Sequence, residues 1–405
     1  MRSFDVVIIG AGLAGLQCAR LLSQNGAKIL LVDRKEDLTK GIHTTGIFVR
    51  KTLEDFDFPA GTMGRAVRRV TLYSPRLKPL ELASEKDEFR VGKMGALYNA
   101  YLQDCVTNGV EFMAGTRYVS AREIEPADHE EPNRLRREMT GEGGTVVTFE
   151  RKGTRVQVAA KVLVGADGVS SRVAKDLGLD ENREWIVGYE EVYRATSLDG
   201  EPRLHCFLDA ELSPGYLAWI TNDGEEIHIG VGGYPAGFDP REALKIFKDK
   251  AAAQFVDIKG VEPSETRGGR IPVGGVLRRI ASERGLLIGD AAGAVSPLTA
   301  GGLDPCMRLS AMAAAIIEER LATGDPGVLL KYSGKLFRGR FISRLWMRRA
   351  LALFTSQFLL ELGCRFLRGS IGKRLAKHVF FGRGSFPDVK IGQAAVTRGE
   401  AVNWR

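Results

Sequence analysis

Residues 285–305 have the sequence GLLIGDAAGAVSPLTAGGLDP, and this stretch decides the fold. Its pattern predicts a short apolar strand that ends near Asp290, then a glycine-rich loop, and then a helix that begins near Leu303. An aspartate at the carboxyl end of a strand can accept hydrogen bonds from the hydroxyl groups of a sugar or ribityl chain. Gly301 and Gly302 let the backbone approach a ligand closely, and the helix start would direct free N–H groups at that ligand.

The N terminus has the pattern of a dinucleotide-binding unit. Residues 4–10, with the sequence FDVVIIG, predict a buried parallel strand that runs into the glycines of GAGLAG at 10–15. A helix is predicted from about residue 13 to residue 25, and residues 27–33 predict a second strand that ends on Asp33. A dinucleotide fold needs this order, with the acid about 20 residues beyond the glycines.

Each glycine of this unit has a predicted role. Gly10 makes the tight turn after the strand, Gly12 lets a pyrophosphate approach, and Gly15 allows the helix to pack closely on the strand. The carboxylate of Asp33 is expected to hold the ribose hydroxyls of an adenosine. This unit and the stretch at 285–305 therefore predict the two ends of one extended ligand site.

Composition and cysteine usage indicate a globular protein of a reducing compartment. The 405 residues suggest about two to three domains. The five cysteines are scattered without a CxxC pair, which argues against a zinc site or a disulfide framework. We expect a cytoplasmic protein, because the first strand begins at Phe4 and leaves no room for a signal peptide. The chain also lacks the run of about 18 apolar residues that a spanning helix needs.

The positive charge is concentrated near the C terminus. Residues 331–384 contain 13 Lys or Arg and one acid, Glu361, so this stretch carries +12 while the whole chain carries +8. A helical segment predicted over 341–360 combines arginines with bulky apolar residues. This combination is typical of peripheral contact with an anionic membrane, and equally of a helical layer packed on the body with a solvated basic face. No nucleic-acid partner is expected, because no binding motif accompanies the charge.

The chain is predicted to be an α/β protein with one domain inserted into another. A ligand cleft is expected between these two domains. The predicted regions are a discontinuous Rossmann-like domain at 1–65, 92–183 and 268–325, an antiparallel-sheet substrate domain at 66–91 and 184–267, and a basic helical region at 326–405. Residues 121–145 are polar and predict an exposed hairpin or loop.

Four motifs occur in an order that resembles a known family. They are GAGLAG at 10–15, GADGVSSR at 165–172, GRIPVGG at 269–275 and GDAAGAVSPLTAGGL at 289–303. Together they resemble the FAD-dependent oxidoreductases of the aromatic-hydroxylase (GR2-type) superfamily, and within it they are most similar to the geranylgeranyl reductase family. The resemblance covers roughly residues 4–325. It implies a Rossmann-like FAD-binding domain with an inserted antiparallel-sheet substrate domain and a helical C-terminal extension.

The departures from that family fall on the substrate side of the flavin. Leu217 stands where the family has a tyrosine, and Tyr216 is displaced by one position. Residues 43–46, HTTG, stand where many relatives have C-G-G-G, so the family cysteine is absent. Residues 304–305 follow the glycine pair as Asp-Pro, where relatives carry smaller apolar residues. The resemblance therefore supports FAD more strongly than it supports any one substrate.

The resemblance implies that FAD lies extended across the site. Its adenosine half is expected on the N-terminal glycines and Asp33, its ribityl chain on Asp290, and its pyrimidine edge at the helix start. Asp167 belongs to this prediction, although it also fits an ordinary helix cap. The predicted cofactor-binding residues are Gly10, Gly12, Ala14, Gly15, Asp33, Arg34, Thr44, Asp167, Asp290, Gly301, Gly302 and Leu303.

Catalytic and substrate-lining residues are less well indicated. His43 is a candidate proton donor or flavin contact, set against a loop histidine that bonds to the backbone. Tyr216 and Trp219 are predicted to line the substrate pocket, or to be ordinary core aromatics. No clustered metal ligands are found, so no metal is predicted.

The resemblance implies hydride transfer from reduced flavin N5 to a carbon–carbon double bond of an isoprenoid or another bulky apolar substrate. No second G-x-G-x-x-G is present, so NAD(P)H or a protein electron donor is expected to act as a transient reductant. An FAD-dependent monooxygenase for an aromatic or polyketide-like substrate remains an alternative. A membrane-associated electron-transfer flavoprotein and a cyclase that uses FAD only structurally also remain, whereas a halogenase is disfavoured because W-x-W-x-I-P is absent.

Overall fold

The computed structural model describes residues 1–124, 144–194, 201–258, 260–353 and 356–382. The strands are β1 (Arg2–Ile9), β2 (Ile29–Val32), β3 (Ile47–Val49), β4 (Met63–Val67), β5 (Arg69–Tyr73), β6 (Pro79–Ala83), β7 (Phe89–Gly92), β8 (Glu111–Met113), β9 (Thr116–Glu123), β10 (Thr145–Arg151), β11 (Thr154–Gly165), β12 (Trp185–Arg194), β13 (Arg203–Phe207), β14 (Ala218–Asn222), β15 (Glu226–Gly233), β16 (Glu265–Pro272), β17 (Ala281–Ser282) and β18 (Gly285–Leu287). The helices are α1 (Leu13–Ser23), α2 (Arg50–Asp55), α3 (Met94–Thr107), α4 (Arg172–Asp176), α5 (Pro240–Lys250), α6 (Leu303–Thr323), α7 (Gly334–Arg338), α8 (Ile342–Ala352), α9 (Gln357–Arg368) and α10 (Ser370–Phe381). Most of the loop predicted over 121–145 and the tail beyond residue 382 lie outside the described residues.

The larger sheet is the Rossmann-like one, and its centre is parallel. Its strands follow the order β17-β18-β11-β1-β2-β8, and β9 and β10 are attached through β11. β11 pairs antiparallel with β10 in its first half, and parallel with β1 and β18 in its second half. β2 and the second half of β1 are buried throughout, as expected for parallel strands that are covered on both faces.

The carboxyl ends of these parallel strands bring distant loops to one edge of the sheet. β1 ends directly before Gly10, β2 ends directly before Asp33, and β11 ends at Gly165. β18 is shorter than the sequence predicts. It ends at Leu287, so Asp290 lies in the 3-10 turn that follows the strand rather than on the strand itself.

The second sheet is mainly antiparallel and follows the order β16-β12-β15-β14-β13-β5-β6. One pair departs from the antiparallel expectation, because β13 runs parallel to β5. A small third sheet has the order β3-β7-β4. The mixed α/β architecture confirms the predicted fold class, while the domain boundaries stay a prediction.

The second sheet is covered on its two faces by different helices. On one face Phe247 of α5 packs in a cluster with Phe207 and Ile229. On the other face Leu72 and Leu204 belong to a cluster that includes Ala376 of α10. The C-terminal helices therefore pack on the sheet that was predicted to form the substrate domain.

The helix predicted over 341–360 is two helices. α8 ends at Ala352, and α9 begins at Gln357 after Ser356, whose Oγ accepts a hydrogen bond from the backbone N–H of Leu359 (3.2 Å). A serine at the N-cap starts a new helix, and the apolar periodicity of the sequence hid this break. No helix in the part of the chain that the structure describes is long and apolar enough to cross a membrane.

Candidate functional site

A large cavity, about 860 Å³ in volume, follows the strand edge of the larger sheet and continues to the C-terminal helices. It brings together residues from both ends of the chain. The predicted residues that line it are Gly12, Ala14, Asp33, His43, Thr44, Tyr216, Trp219, Asp290, Gly301, Gly302 and Leu303. Gly10, Gly15, Arg34 and Asp167 are described by the structure but lie outside this lining.

The N-terminal glycines divide into two that shape the turn and one that faces the cavity. Gly10 has a φ of +103°, and a Cβ there would lie 2.3 Å from the carbonyl oxygen of Ala166. A Cβ on Gly15 would lie 1.9 Å from the carbonyl oxygen of Gly10. A Cβ on Gly12 would meet no atom within 4 Å and would occupy the cavity. This open position fits the close approach of a pyrophosphate.

The carboxylate after β2 is held at the cavity wall by backbone hydrogen bonds. Asp33 accepts from the N–H of Ala11 (2.7 Å) and from that of Lys35 (2.8 Å). Arg34 is exposed and lies outside the lining, whereas its neighbour Lys35 lines the cavity and donates from Nζ to the carbonyl oxygen of Gly41 (2.6 Å). The predicted cation is therefore displaced by one residue, because side chains alternate as the chain leaves the strand.

Asp290 lies at the other end of this edge, next to the start of α6. Burial raises the pKa of its carboxyl to about 6. The backbone carbonyl of Asp290 accepts a hydrogen bond from Asn182 Nδ2 (2.9 Å), which fixes the turn. No side-chain hydrogen bond occupies the Asp290 carboxylate in the described chain, so it is left to accept hydroxyl groups of a ligand.

In the structure α6 begins at Leu303, where the sequence predicts a helix start. Gly302 is the N-cap of α6 and has no side chain to satisfy the first N–H groups, so these point to the cavity side. The loop before it is closed on itself, because Ser296 N–H donates to the carbonyl of Gly301 (3.0 Å) and Ala300 N–H donates to that of Ser296 (2.9 Å). This edge can hold an anionic group.

Asp167 has the structural role that the sequence left open. Its carboxylate accepts hydrogen bonds from the N–H groups of Arg172 (2.8 Å) and Val173 (3.2 Å) and from Ser171 Oγ (2.6 Å), so it caps α4. The neighbouring residues Ala166 and Gly168 line the cavity instead.

The loop at 43–46 passes the middle of the cavity. His43 is exposed, and its Nδ1 lies 2.9 Å from the carbonyl oxygen of Gly268. This contact fits the alternative of a loop histidine that bonds to the backbone. Thr44 Oγ1 accepts from the N–H of Gly46 (3.1 Å), and its carbonyl accepts from Arg267 Nη1 (3.1 Å). Thr45, which the sequence analysis did not single out, also lines the cavity and donates to Glu190.

Tyr216 and Trp219 form part of the cavity wall, and their rings pack against glycines of β15. Tyr216 Oη donates to the carbonyl of Thr299 (2.8 Å), which ties the second sheet to the loop before α6. The ring of Trp219 lies over Gly230, where a Cβ would come within 2.2 Å of it. Both rings are therefore held by specific contacts as well as by packing.

A buried network of charges next to Trp219 was missed by the sequence analysis. Glu190 accepts from Trp219 Nε1 (2.8 Å), and its other oxygen lies 3.2 Å from His228 Nδ1 and 3.7 Å from Arg267 Nη1. His228 Nε2 lies 3.8 Å from an oxygen of Asp223. The available signal was a charged residue, Glu190 in β12 and His228 in β15, at positions where the other buried residues of the strand are uncharged.

The charges of this network compensate one another. Burial lowers the pKa of His228, but the carboxylates of Asp223 and Glu190 outweigh it and raise that pKa to about 9. Burial raises the pKa of Glu190, and His228 and Thr45 outweigh it and hold that pKa below its usual range. Asp223, Glu226 and His228 also bring three possible metal-binding atoms within 4.8 Å of one another, a grouping that the sequence did not predict. The two carboxylates on His228 account for it as an ion-pair network.

The comparisons with known proteins agree with this geometry. The family model described as "FAD binding domain" matches residues 3–339. A curated relative, digeranylgeranylglycerophospholipid reductase 2 of Methanopyrus kandleri, is 28% identical over 337 residues, which are 80% of this chain and 78% of that protein.

Solved structures share the fold. A geranylgeranyl bacteriochlorophyll reductase-like protein from Thermoplasma acidophilum has a TM-score of 0.77 at 20% identity, with 95% of this chain and 98% of that chain covered. PqsL, a probable FAD-dependent monooxygenase from Pseudomonas aeruginosa, has a TM-score of 0.61 at 17% identity, with 89% and 99% covered.

The match to the family model covers most of the chain, and the cavity has an open glycine for a pyrophosphate, a free carboxylate for hydroxyl groups and a bare helix start for an anion. The residues present therefore fit FAD. The chain belongs to the FAD binding domain family and is an FAD-dependent oxidoreductase that is similar to geranylgeranyl reductases.

Proposed function

We propose that this protein reduces carbon–carbon double bonds of an isoprenoid or another bulky apolar substrate. The observation that carries the proposal is the shape of the cavity. It begins at the edge of the larger sheet where the parallel strands end and where FAD would bind. It continues into an apolar part lined by Leu72, Leu217, Leu367 and Phe380. A long apolar chain fits such a space, because burying it there removes apolar surface from water.

The residues of the chain would bind and orient the two reactants. FAD, when bound and reduced, supplies a hydride at N5. Asp290 and the start of α6 would hold the ribityl and pyrimidine parts, while Tyr216 and Trp219 form a wall beside them. The apolar side chains at the far end of the cavity would pack against the hydrocarbon part of the substrate. His43 stays a weak candidate for the catalytic acid, because its ring is exposed and bonded to Gly268.

The electron donor and compartment belong to the same proposal. We propose that NAD(P)H or a protein donor reduces the flavin in a transient complex, which the lack of a second G-x-G-x-x-G in the sequence supports. A cytoplasmic location is supported by five free cysteines, all of them buried, which fit a reducing compartment.

An FAD-dependent monooxygenase is the second candidate function. The specific observation in its favour is the network of Glu190, His228 and Arg267, whose Glu190 and Arg267 line the cavity. Polar groups at this wall suit an aromatic substrate with polar substituents better than a plain hydrocarbon. The similarity of fold to PqsL is compatible with it.

One experiment separates the two candidates. The FAD-loaded protein is reduced anaerobically with dithionite and mixed with a geranylgeranyl lipid, and the products are analysed by mass spectrometry. The proposed function predicts the addition of two hydrogen atoms per reduced double bond and slow reoxidation of the flavin in air. Rapid NAD(P)H oxidation coupled to incorporation of one oxygen atom into an aromatic substrate would contradict it and support the monooxygenase.

A further inference from the structure

We propose that the outer surface of α8, α9 and α10 docks on an anionic lipid bilayer and that an apolar substrate enters the cavity through this surface. We call it the apolar face and define it by Ile342, Trp346, Leu353, Phe358, Phe366 and Ile371. Docking stands on the geometry alone. The substrate route rests on the proposed function.

The first observation is that α8 exposes large apolar side chains while it buries an arginine. Trp346 is 64% exposed and Leu353, directly after the helix, is 76% exposed, whereas Arg348 is 1% exposed. The guanidinium of Arg348 lies inside, over the rings of Tyr216 (5.6 Å) and Tyr234 (4.8 Å). A surface helix of a water-soluble domain normally buries its apolar stripe and exposes its charges. α8 departs from this rule at Trp346 and at Arg348.

The next two helices, α9 and α10, also expose large apolar side chains. On α9 the exposed positions Phe358, Leu362 and Phe366 follow one another at four-residue spacing and form one stripe. On α10 the fully buried residues are the small ones, Gly372 and Ala376, while Ile371 is 71% exposed. Three consecutive helices therefore present large apolar side chains to the outside, which marks an interaction surface.

Basic side chains accompany the apolar ones. Arg349 of α8, Arg365 of α9, and Lys373, Arg374 and Lys377 of α10 are all exposed. Bulky apolar residues next to Lys and Arg on a helix surface are the combination that lies in the interface of a bilayer and is attracted to anionic headgroups.

The apolar face is also a wall of the cavity. Phe366 and Leu375 are 59% and 44% exposed, and both line the cavity. Leu367 and Phe380 of the same two helices also line it. α9 and α10 therefore contribute both to the apolar face and to the cavity wall, so the route that we propose for a hydrocarbon chain runs between these two helices.

Charge selects the bilayer over the other occupants. Residues 331–384 carry +12, so two copies of this surface would repel each other. Residues 383–405 contain four Lys or Arg and two acids, so that segment is also positive and offers no complementary charge. An anionic bilayer provides both apolar depth and negative charge.

The test uses the FAD-loaded full chain and vesicles. Co-sedimentation is measured with an equal mixture of phosphatidylcholine and phosphatidylglycerol, and with phosphatidylcholine alone. The wild type should bind the anionic vesicles more tightly, and added salt should weaken this binding. The triple variant Trp346→Ser, Leu353→Ser, Phe358→Ser and the double variant Lys373→Glu, Arg374→Glu should each lose about tenfold or more in affinity.

Matched controls lie elsewhere on the surface. Val106→Ser removes an apolar side chain that is 52% exposed on α3, and Lys245→Glu reverses an exposed charge on α5. Both should bind like the wild type, and circular dichroism checks that every variant is folded. Unchanged binding by the two test variants, or a dimer in sedimentation velocity that the triple variant abolishes, would overturn the proposal.

Docking and turnover are measured separately, so their failures differ. Vesicle binding without reduction of the prenyl chain would refute the proposed function and leave docking standing. Reduction of a detergent-dispersed prenyl lipid by a protein that does not bind vesicles would refute docking alone.

Discussion

Single residues at this site have roles that depend on how much space surrounds them. Gly10 faces the backbone of Ala166 and Gly15 faces the backbone of Gly10, whereas Gly12 faces the open cavity. Sequence spacing predicts all three, because the turn requires glycine wherever backbone comes close. Spacing alone does not tell which of them a ligand would touch.

Replacing Gly12 by alanine should weaken FAD binding while the fold is kept. The added methyl group would occupy the space expected for the pyrophosphate, and crowding of this kind costs about 1–3 kcal/mol, or roughly tenfold or more in affinity. The measurement is flavin retention and the dissociation constant by fluorescence. Gly339→Ala is the control, because a Cβ there also meets no atom within 4 Å but Gly339 does not line the cavity. Equal affinity of the two variants would contradict the assignment.

The buried imidazole of His228 should make stability depend on pH. Its pKa is raised to about 9 in the folded protein, above the ordinary value of 6.5. Stability from its charge is therefore fully present below pH 6.5 and is lost as the pH rises through about 9, by on the order of 3 kcal/mol. Urea unfolding between pH 6 and 10 measures it. His228→Gln should flatten this profile, and the exposed His378→Gln should leave it unchanged.

At the scale of elements, the start of α6 and the order of the strands place the residues of the site. α6 begins at Gly302 without a side-chain cap, and its first turn faces the same edge as Asp290 and Asp33. α8 contributes to the apolar face. Its Arg348 lies inside, over the rings of Tyr216 and Tyr234, while Trp346 lies outside.

Asp290→Ala should have opposite effects on the FAD-free and FAD-loaded protein. Burial raises the pKa of Asp290 to about 6, so its folded-state pKa is above that of the unfolded chain. The ionised carboxylate then costs stability as the pH rises through about 6, and the FAD-free variant should be more stable at pH 7 by about 1–3 kcal/mol. The same variant should lose most of the yellow flavin absorbance.

The control for Asp290 is Asp87→Ala, which removes a partly exposed carboxylate that is paired with Arg68 and Arg90. It should keep the flavin and change the free energy of unfolding by less than about 1 kcal/mol. Denaturation curves recorded with and without FAD give both quantities. A loss of stability in the FAD-free Asp290→Ala protein would show that the carboxylate has a structural partner.

At the scale of the whole molecule, the cavity joins three parts of the chain. Residues 10–15, the loop at 43–46 and residues 289–303 meet at one edge, and Tyr216 connects the second sheet to that edge through Thr299. FAD that contacts all of these parts should stabilise the protein as one unit.

FAD should therefore stabilise the protein more than FMN, which lacks the adenosine half. Saturation at about 100 times the dissociation constant adds about 2.7 kcal/mol to the free energy of unfolding. At equal concentration FMN should add much less, because the subsite at Gly12 and Asp33 stays empty. Thermal unfolding of the FAD-free protein with each flavin measures this difference, and equal shifts would refute an extended cofactor.

The sequence by itself determined the motifs at the edge of the larger sheet where the cofactor would bind. Glycines, an aspartate and a helix start at fixed spacing act through the backbone, and local geometry is written in local sequence. It also indicated the mixed α/β fold, which the structure confirms.

Only the tertiary structure decided the rest. Lys35 rather than Arg34 lines the cavity, Asp167 caps α4, and Glu190 meets His228 across two strands. The apolar side of α8 faces outward although its periodicity is that of any surface helix. The physical reason is that burial and pairing depend on which distant residues share a space. A pattern along the chain shows which residues share a face, but only packing decides which face is buried.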